Sequence, residues 1–295
     1  MSGQRAAAEP YTTQFSTTVR SVDGRDVRLE TTYFYAESGG QPADTGRIGT
    51  TRVEDVRLKD GEIVHELAEP DAVREGQSVL CTIDWERRMY CMRAHTAGHA
   101  LYGAARRLFD DVDYAGFDIG APDGDLGGDE SVRIDLRTDA EIDDATLADL
   151  ERAVNRVVWD AHDVAWETTP ADDAVDRDDV ACDARSTEGL AGDGSGGTEA
   201  DRLVTIEDWS VTACGGTHVR NTREIGPVTV IDWSNPEEGR TRVEFAVGPA
   251  GIERRGDEKR AARAAARRLG VGVEEVPAAL DRLRETRDEP FARDG

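Results

Sequence analysis

Lysine is almost missing from this chain. Lys59 and Lys259 are the only two in 295 residues, and every other basic side chain apart from histidine is an arginine. Thirty-six Lys and Arg stand against 61 Asp and Glu, for a formal net charge of -25. Histidine is scarce too, at five residues, and aromatic residues make up 6%. No apolar run approaches the roughly 20 residues that a membrane-spanning helix needs, and no secretory pattern opens the sequence. The four cysteines, Cys81, Cys91, Cys182 and Cys214, do not show the spacing of a disulfide scaffold. These absences argue against a membrane protein and a small secreted one, and point to a reduced, cytoplasmic protein. Acidic residues in such excess over lysine are the composition of a protein that stays hydrated in strong salt, as in an extreme halophile. An acidic chain is ordinarily repelled by nucleic acid. Strong salt screens charge within a few ångströms, so local basic patches decide that question instead.

Patterned apolar segments run along most of the chain, which excludes a disordered acidic protein. Asp23-Gly24 separates apolar stretches at 15–22 and 27–35, and Asp60-Gly61 separates 53–58 from 63–67. Both are hairpin signals. Val79, Cys81 and Ile83 alternate as a further strand. The reading is a small β-barrel-like N-terminal domain over 1–85. From Glu86 the pattern turns helical: Met89, Met92, Leu101 and Leu108 recur among alanines, predicting a helix over 86–109. A strand at 132–136, an amphipathic helix through Leu147, Leu150, Val154, Val157 and Val158, and strands at 163–168, 203–208, 227–233 and 242–247 follow. Residues 86–250 therefore read as an α/β domain with a mixed or antiparallel sheet. Gly- and Asp-rich stretches at 118–130 and 171–201 read mostly as solvated loops, and 251–295 as a C-terminal helical extension. The fold class is α+β.

Three of the five histidines fall in two short motifs far apart in sequence. In His95-Thr96-Ala97-Gly98-His99 the histidines stand four apart, on one face of the expected helix. Cys214-Gly215-Gly216-Thr217-His218 offers a thiol and an imidazole at the same spacing. A nitrogen and sulfur ligand set of this kind suits zinc. Each motif alone is weak, and the two in one chain are much stronger. Four protein ligands make a closed, structural site, whereas a catalytic zinc keeps a position open. The expectation is that one ligand, a histidine, is held loosely or through water.

Ser38-Gly39-Gly40-Gln41 reads either as a plain turn before Pro42 or as a wall where backbone N–H groups meet phosphate or ribose, with Gln41 offering a donor and an acceptor. Thr217 either faces a substrate or caps a turn, and Thr96 is similar. His65, in a strand pattern, and His162, at a helix end, read as structural, and Trp209 and Trp233 as core. Residues 253–270 hold seven basic and three acidic side chains, a local charge of +4 in an acidic protein. Arg260, Arg263 and Arg267 share a helical face there. They serve internal ion pairs or touch nucleic-acid phosphates.

HxxxH followed by CGGTHV resembles the alanyl-tRNA editing hydrolases, the AlaX type related to the editing domain of alanyl-tRNA synthetase. Residues 34–46, Phe-Tyr-Ala-Glu-Ser-Gly-Gly-Gln-Pro-Ala-Asp-Thr-Gly, are similar to that family's glycine-rich signature. Asn221-Thr222-Arg223-Glu224-Ile225-Gly226 continues the CGGTHV block as the family does, and Gly239-Arg240-Thr241-Arg242-Val243-Glu244-Phe245 is similar to its late basic strand. The resemblance covers about residues 10–250 in the family's order. Gly98 stands where the family often carries Thr or Ser. Tyr114-Ala115-Gly116-Phe117 stands where it commonly places a polar residue that contributes to telling serine from glycine or alanine.

The resemblance implies Zn2+ held by His95, His99, Cys214 and His218, and a substrate lined by Ser38, Gly39, Gly40, Gln41 and Thr217. It implies hydrolysis of serine or glycine wrongly attached to tRNA(Ala). Both side chains are close in size to the alanine methyl, so one pocket sorts them poorly and a second, hydrolytic sieve is needed. The match begins near residue 10 with no activation domain before it, so ligation is not expected. Arg260, Arg263 and Arg267 would contact the tRNA backbone. Two alternatives stand beside this reading: a tRNA-binding module with a structural zinc, and a zinc hydrolase of small esters or amides.

Overall fold

Alternation and Asp-Gly turns build the first half. In the computed structural model, which describes residues 5–120, 131–140, 142–169, 180–182 and 201–288, six strands close into a barrel in the order β1-β2-β5-β4-β3-β6. They are β1 (Gln14–Asp23), β2 (Asp26–Leu29), β3 (Gly46–Ile48), β4 (Thr51–Lys59), β5 (Glu62–Leu67) and β6 (Ser78–Ile83). Asp60 and Gly61 both take positive φ between the paired Lys59 and Glu62, as a tight hairpin requires. In β6 exposed and buried residues alternate, placing Val79, Cys81 and Ile83 in a core with Val19, Val27, Phe34, Ile48, Val56 and Leu67. β2 ends at Leu29, short of the stretch to residue 35 expected from composition. The chain from Thr31 to Asp44 leaves the barrel wall and carries the Ser38–Gln41 turn.

One residue after the barrel, Asp84 caps α1 (Trp85–Leu108) by accepting from the Arg87 N–H. From Ala94 to Ala105 every residue of α1 is buried, so this is a core helix rather than a surface one. Its small residues allow close packing. A Cβ on Gly98 would lie 2.5 Å from the Phe117 ring, and one on Gly103 would lie 2.5 Å from the Trp209 indole. α1 packs on α2 (Asp144–Asp160) and on an antiparallel sheet ordered β13-β14-β8-β7. Those strands are β7 (Asp113–Ile119), β8 (Val132–Arg137), β13 (Val228–Glu237) and β14 (Arg240–Val247). A second sheet, β10-β12-β11-β9, comprises β9 (Val164–Thr169), β10 (Val180–Cys182), β11 (Asp201–Ile206) and β12 (Ser210–Ala213). It is mixed, because β10 runs parallel to β12. The second half thus holds two four-stranded sheets where a single sheet was expected.

The C-terminal helix begins earlier than its composition indicates and is broken. α3 (Gly248–Leu269) starts as β14 ends and packs on β13 and β14. Gly270, at φ +71°, stops it, and α4 (Val276–Asp288) follows. Among the described residues, no helix is long and apolar enough to cross a membrane. The expected loop at 118–130 begins as the end of β7, and its residues 121–130 lie outside the described residues. So does most of 171–201, apart from β10 and the start of β11.

Candidate metal centre

A buried ion pair bolts the barrel to α1. Arg88 and Asp44 are both essentially unexposed, and the Arg88 guanidinium donates to Asp44, to the Tyr33 carbonyl at 2.7 Å and to the Pro10 carbonyl at 2.8 Å. Asp44 also accepts from the Tyr35 N–H at 2.6 Å. Paired and fully hydrogen-bonded, the two charges are tolerated inside. Their consequence is geometric, because the Ser38–Gln41 turn hangs from the segment they clamp.

That turn lies against β7. Ser38 and Gln41 exchange backbone hydrogen bonds, and Gly39 and Gly40 have φ of +55° and +76°. A Cβ on Gly40 would fall 1.9 Å from the Phe117 carbonyl oxygen, so only glycine fits there. The turn sends Gln41 inward. Its side chain is wholly buried. Gln41 Oε1 accepts from the Thr217 N–H at 3.0 Å, and Gln41 Nε2 donates to Thr217 Oγ1 at 2.9 Å. The same Oε1 lies 3.0 Å from His95 Nδ1. Since Oε1 can only accept, His95 carries its proton on Nδ1 and leaves Nε2 bare.

His218 is fixed in the same way. Thr96 Oγ1 donates to the Met92 carbonyl at 2.8 Å and accepts from the Val219 N–H at 3.2 Å. With its proton committed, Thr96 accepts from His218 Nδ1 at 3.2 Å, and His218 also presents Nε2. Cys214 Sγ lies 3.3 Å from both Nε2 atoms. His99 completes the group, and one ligand atom from each of His95, His99, Cys214 and His218 lies within 4.8 Å of the others, all four residues buried. Gly216 allows the closure, because a Cβ there would sit 2.1 Å from His95 Cε1. The loop holding Cys214 and His218 follows β12, a strand missing from the expected pattern, in which the strand at 203–208 is followed next by that at 227–233.

Burial drives the electrostatics. It holds His95 and His218 well below the ordinary imidazole pKa and His99 at about 3; neighbouring imidazoles act in the same direction on His95 and His218, and the Arg202 charge on all three. The rings are therefore neutral, the form that ligates metals. Arg202 is 6% exposed and ties the loop down, donating to the carbonyls of Cys214 at 2.7 Å and Gly216 at 3.0 Å. His99 Nδ1 is buried without a hydrogen-bond partner. Three neutral imidazoles, one of them with an unpartnered ring nitrogen, and a thiol gathered in one buried cluster fit a metal ion.

The other candidate residues fall in different places. Thr217 is unexposed and bonded to Gln41, and Ser38 Oγ lies 2.7 Å from the Tyr35 hydroxyl. Gln41 is engaged by protein groups, so it positions His95 rather than offering a free donor and acceptor. Arg260, Arg263 and Arg267 are exposed on α3, away from this cluster in sequence, and Arg260 pairs with Asp257. His162 is half-buried just past the end of α2. Trp209 and Trp233 are only half-buried. The Trp209 indole donates to the Ala100 carbonyl at 2.9 Å, and the Arg107 guanidinium lies 3.7 Å over its ring. Sequence reasoning missed Arg88, Asp44 and Arg202, whose partners are 44 and 12 residues distant or more.

Comparison with known proteins agrees with the motifs. Residues 202–244 match the family model of the threonyl and alanyl tRNA synthetase second additional domain, and residues 5–87 match that of class II (A) tRNA synthetases. The alanine–tRNA ligase of Pyrococcus abyssi is 33% identical over 280 residues, which are 93% of this chain and 29% of the ligase. The chain is homologous to the alanyl-tRNA synthetases. The alanine–tRNA ligase of Methanopyrus kandleri is 33% identical over 263 residues, and that of Halobacterium salinarum 35% over 263 residues. Each of these two matches covers 88% of this chain, and 27% and 26% of the respective ligase. The chain therefore spans less than a third of the length of the alanyl-tRNA synthetases it matches. The chain's two family-model matches fall on either side of HxxxH: one covers the barrel and the Ser38–Gln41 turn, the other covers Cys214 and His218.

Proposed function

We propose that this chain is an aminoacyl-tRNA deacylase that hydrolyses the ester of serine or glycine wrongly attached to tRNA(Ala), using a zinc ion held by His95, His99, Cys214 and His218. One observation carries the reading. The three motifs of the editing resemblance, SGGQ, HxxxH and CGGTH, come from separate parts of a chain homologous to alanyl-tRNA synthetases and meet at one buried cluster. A bound zinc supplies Lewis acidity for ester hydrolysis. The chain's own residues do the positioning. Gln41 orients His95, Thr96 orients His218, and Arg202 pins the carbonyls of the loop between the thiol and the last imidazole. Such outer partners set ring orientation and basicity at metal sites.

In this reading residues 1–85 form the domain that helps hold the acceptor stem, 86–250 the editing domain and 251–295 a helical extension. Ser38, Gly39, Gly40 and Thr217 lie beside the ester, and Arg260, Arg263 and Arg267 contact tRNA phosphates. The acidic, lysine-poor composition supports a cytoplasmic protein adapted to high salt. A closed set of four buried ligands favours a second reading, a structural metal in a tRNA-binding module. One experiment separates them: purified protein in molar potassium chloride, assayed for zinc and for release of serine, glycine and alanine from charged tRNA(Ala). Rapid loss of serine or glycine with alanine retained supports the deacylase. About one zinc per chain without hydrolysis supports the binding module, and absence of metal from active protein removes both.

A further inference from the structure

Arginines in this chain commonly meet a carboxylate: Arg57 pairs with Asp26, Arg242 with Asp135 and Arg255 with Glu151. Arg107, in the last turn of α1, does not. Its guanidinium donates to the carbonyls of Gly103 at 2.9 Å, Trp209 at 2.8 Å and Asp208 at 3.0 Å, and no carboxylate among the described residues pairs with it. Those bonds use three of its five N–H donors and leave two. The Trp209 indole beneath the guanidinium holds its plane. The charge is fixed in place but not neutralised, and burial and the neighbouring Arg106 charge both lower its pKa.

Arg106 and Arg107 line a cleft of about 430 Å³ with Asp208, Trp209 and Ser210. The Ser210 hydroxyl is buried there without a hydrogen-bond partner, a condition that folded proteins avoid. Asp208 is the one acid among the described lining residues, so two guanidinium charges stand against a single carboxylate. In a chain of net charge -25, such a local excess of positive charge attracts an anion that the rest of the surface repels. The cleft is also close to the metal centre. α1 packs on β12. Eight residues of helix separate His99 from Arg107, and four of extended chain separate Cys214 from Ser210, each a span of about 12 Å.

We infer that this cleft binds a phosphodiester of an RNA backbone, with Arg106 and Arg107 supplying the contact. The inference takes tRNA as the ligand from the function proposed above. Phosphate oxygens can accept from the two spare Arg107 donors, and a guanidinium suits such planar, paired contacts. Stacked on an indole and bonded to three carbonyls, the Arg107 side chain is already ordered, so little freedom is left to lose on binding. A free phosphate ion offers the same oxygens. RNA differs from it in counterion release: each backbone phosphate that the protein neutralises frees condensed cations, so affinity falls as salt rises.

Equilibrium binding of unacylated tRNA(Ala) tests this without turnover. Anisotropy of fluorescently labelled tRNA is followed with the full chain across a series of potassium chloride concentrations. Arg107→Gln weakens binding about tenfold, the worth of a charged hydrogen bond. Its plot of log affinity against log salt is shallower than that of the wild type by about 0.7 to 1, the loss of one phosphate contact. Arg106→Gln moves the slope the same way, and Asp208→Asn, which removes the acid of the lining, tightens binding. An unchanged slope in both arginine variants overturns the inference even if affinity or melting temperature falls, because a structural role leaves the number of neutralised phosphates alone. So does a wild type that binds no tRNA at any salt concentration. Should Arg107→Gln not fold by circular dichroism, Arg106→Gln decides alone. In parallel, inorganic phosphate is titrated and followed by phosphorus NMR. Phosphate binding that is lost in Arg107→Gln while the tRNA slope stays unchanged assigns the cleft to the free ion and overturns the RNA contact. The deacylase reading fails separately, if charged tRNA(Ala) keeps both serine and glycine; a slope change with unacylated tRNA would survive that result.

Discussion

In the barrel, His65 is completely buried with its ring edge-on to Phe34. Its Nδ1 donates to the Val27 carbonyl at 3.1 Å, so its Nε2 accepts from Thr32 Oγ1 at 2.8 Å. Both nitrogens are used and nothing is left over. Across the molecule, His95, His99 and His218 are buried to a similar degree, but the Nε2 atoms of His95 and His218 face one Cys214 thiol, whose single proton can serve only one of them, and His99 Nδ1 has no partner. Their remaining nitrogens converge with Cys214. Depressed imidazole pKa values occur in both places, since burial causes them in both. Burial therefore does not distinguish a structural histidine from a ligand here; incomplete hydrogen bonding does.

The sharpest way to break this contrast is to remove one donor from each place. Cys214→Ala and His95→Ala should lose bound metal and reduce deacylation by more than about a hundredfold, beyond the usual effect of outer-shell changes, with circular dichroism unchanged. His65→Gln should keep wild-type metal stoichiometry and lose stability instead. Full metal content in the Cys214 and His95 variants would erase the distinction between the two clusters.

A second test uses pH. Burial lowers the His65 pKa from 6.5 to about 4. Between those values the unfolded chain binds a proton that the folded chain excludes, so the contribution is present above about 6.5 and is lost as pH falls toward about 4. The shift corresponds to about 3 kcal/mol. Denaturant unfolding at fixed salt should show wild-type stability dropping across that window more steeply than that of His65→Gln. Parallel curves would mean that His65 is not held neutral.

The residues that finish the ligand histidines give a smaller effect. Gln41→Ala frees His95, and Thr96→Val frees His218. Each should weaken metal binding by about 10- to 100-fold in competition with a chelator. Wild-type affinity in both would show that the ligands need no orientation. Smallest is the change expected on α3, where Arg260 already pairs with Asp257. Replacing Arg260, Arg263 and Arg267 together by Gln should raise KM for mischarged tRNA severalfold, with kcat and zinc content near wild type, since phosphate contacts add affinity alone. Unchanged KM with a lower melting temperature would assign the arginines to internal ion pairs.

What could be read from the chain by itself was local. Asp60-Gly61 marked its hairpin because a tight turn needs positive φ at consecutive residues. The helix through HxxxH was legible from its apolar spacing, as was the set of nitrogen and sulfur donors in the two motifs from residue type. β7 and β12 escaped notice. Tyr114-Ala115-Gly116-Phe117 carries a register shift between Tyr114 and Gly116 that breaks alternation, and β12 has only four residues, too few to set a period. Tertiary structure alone decided which nitrogen His95 and His218 present, because the groups that decide it, Gln41 and Thr96, lie 54 and 122 residues from their partners. It also gave Gly98 its reason, the Phe117 ring resting where a side chain would be. Hydrogen-bond completion is a property of packed atoms in three dimensions, and no spacing along the chain encodes it.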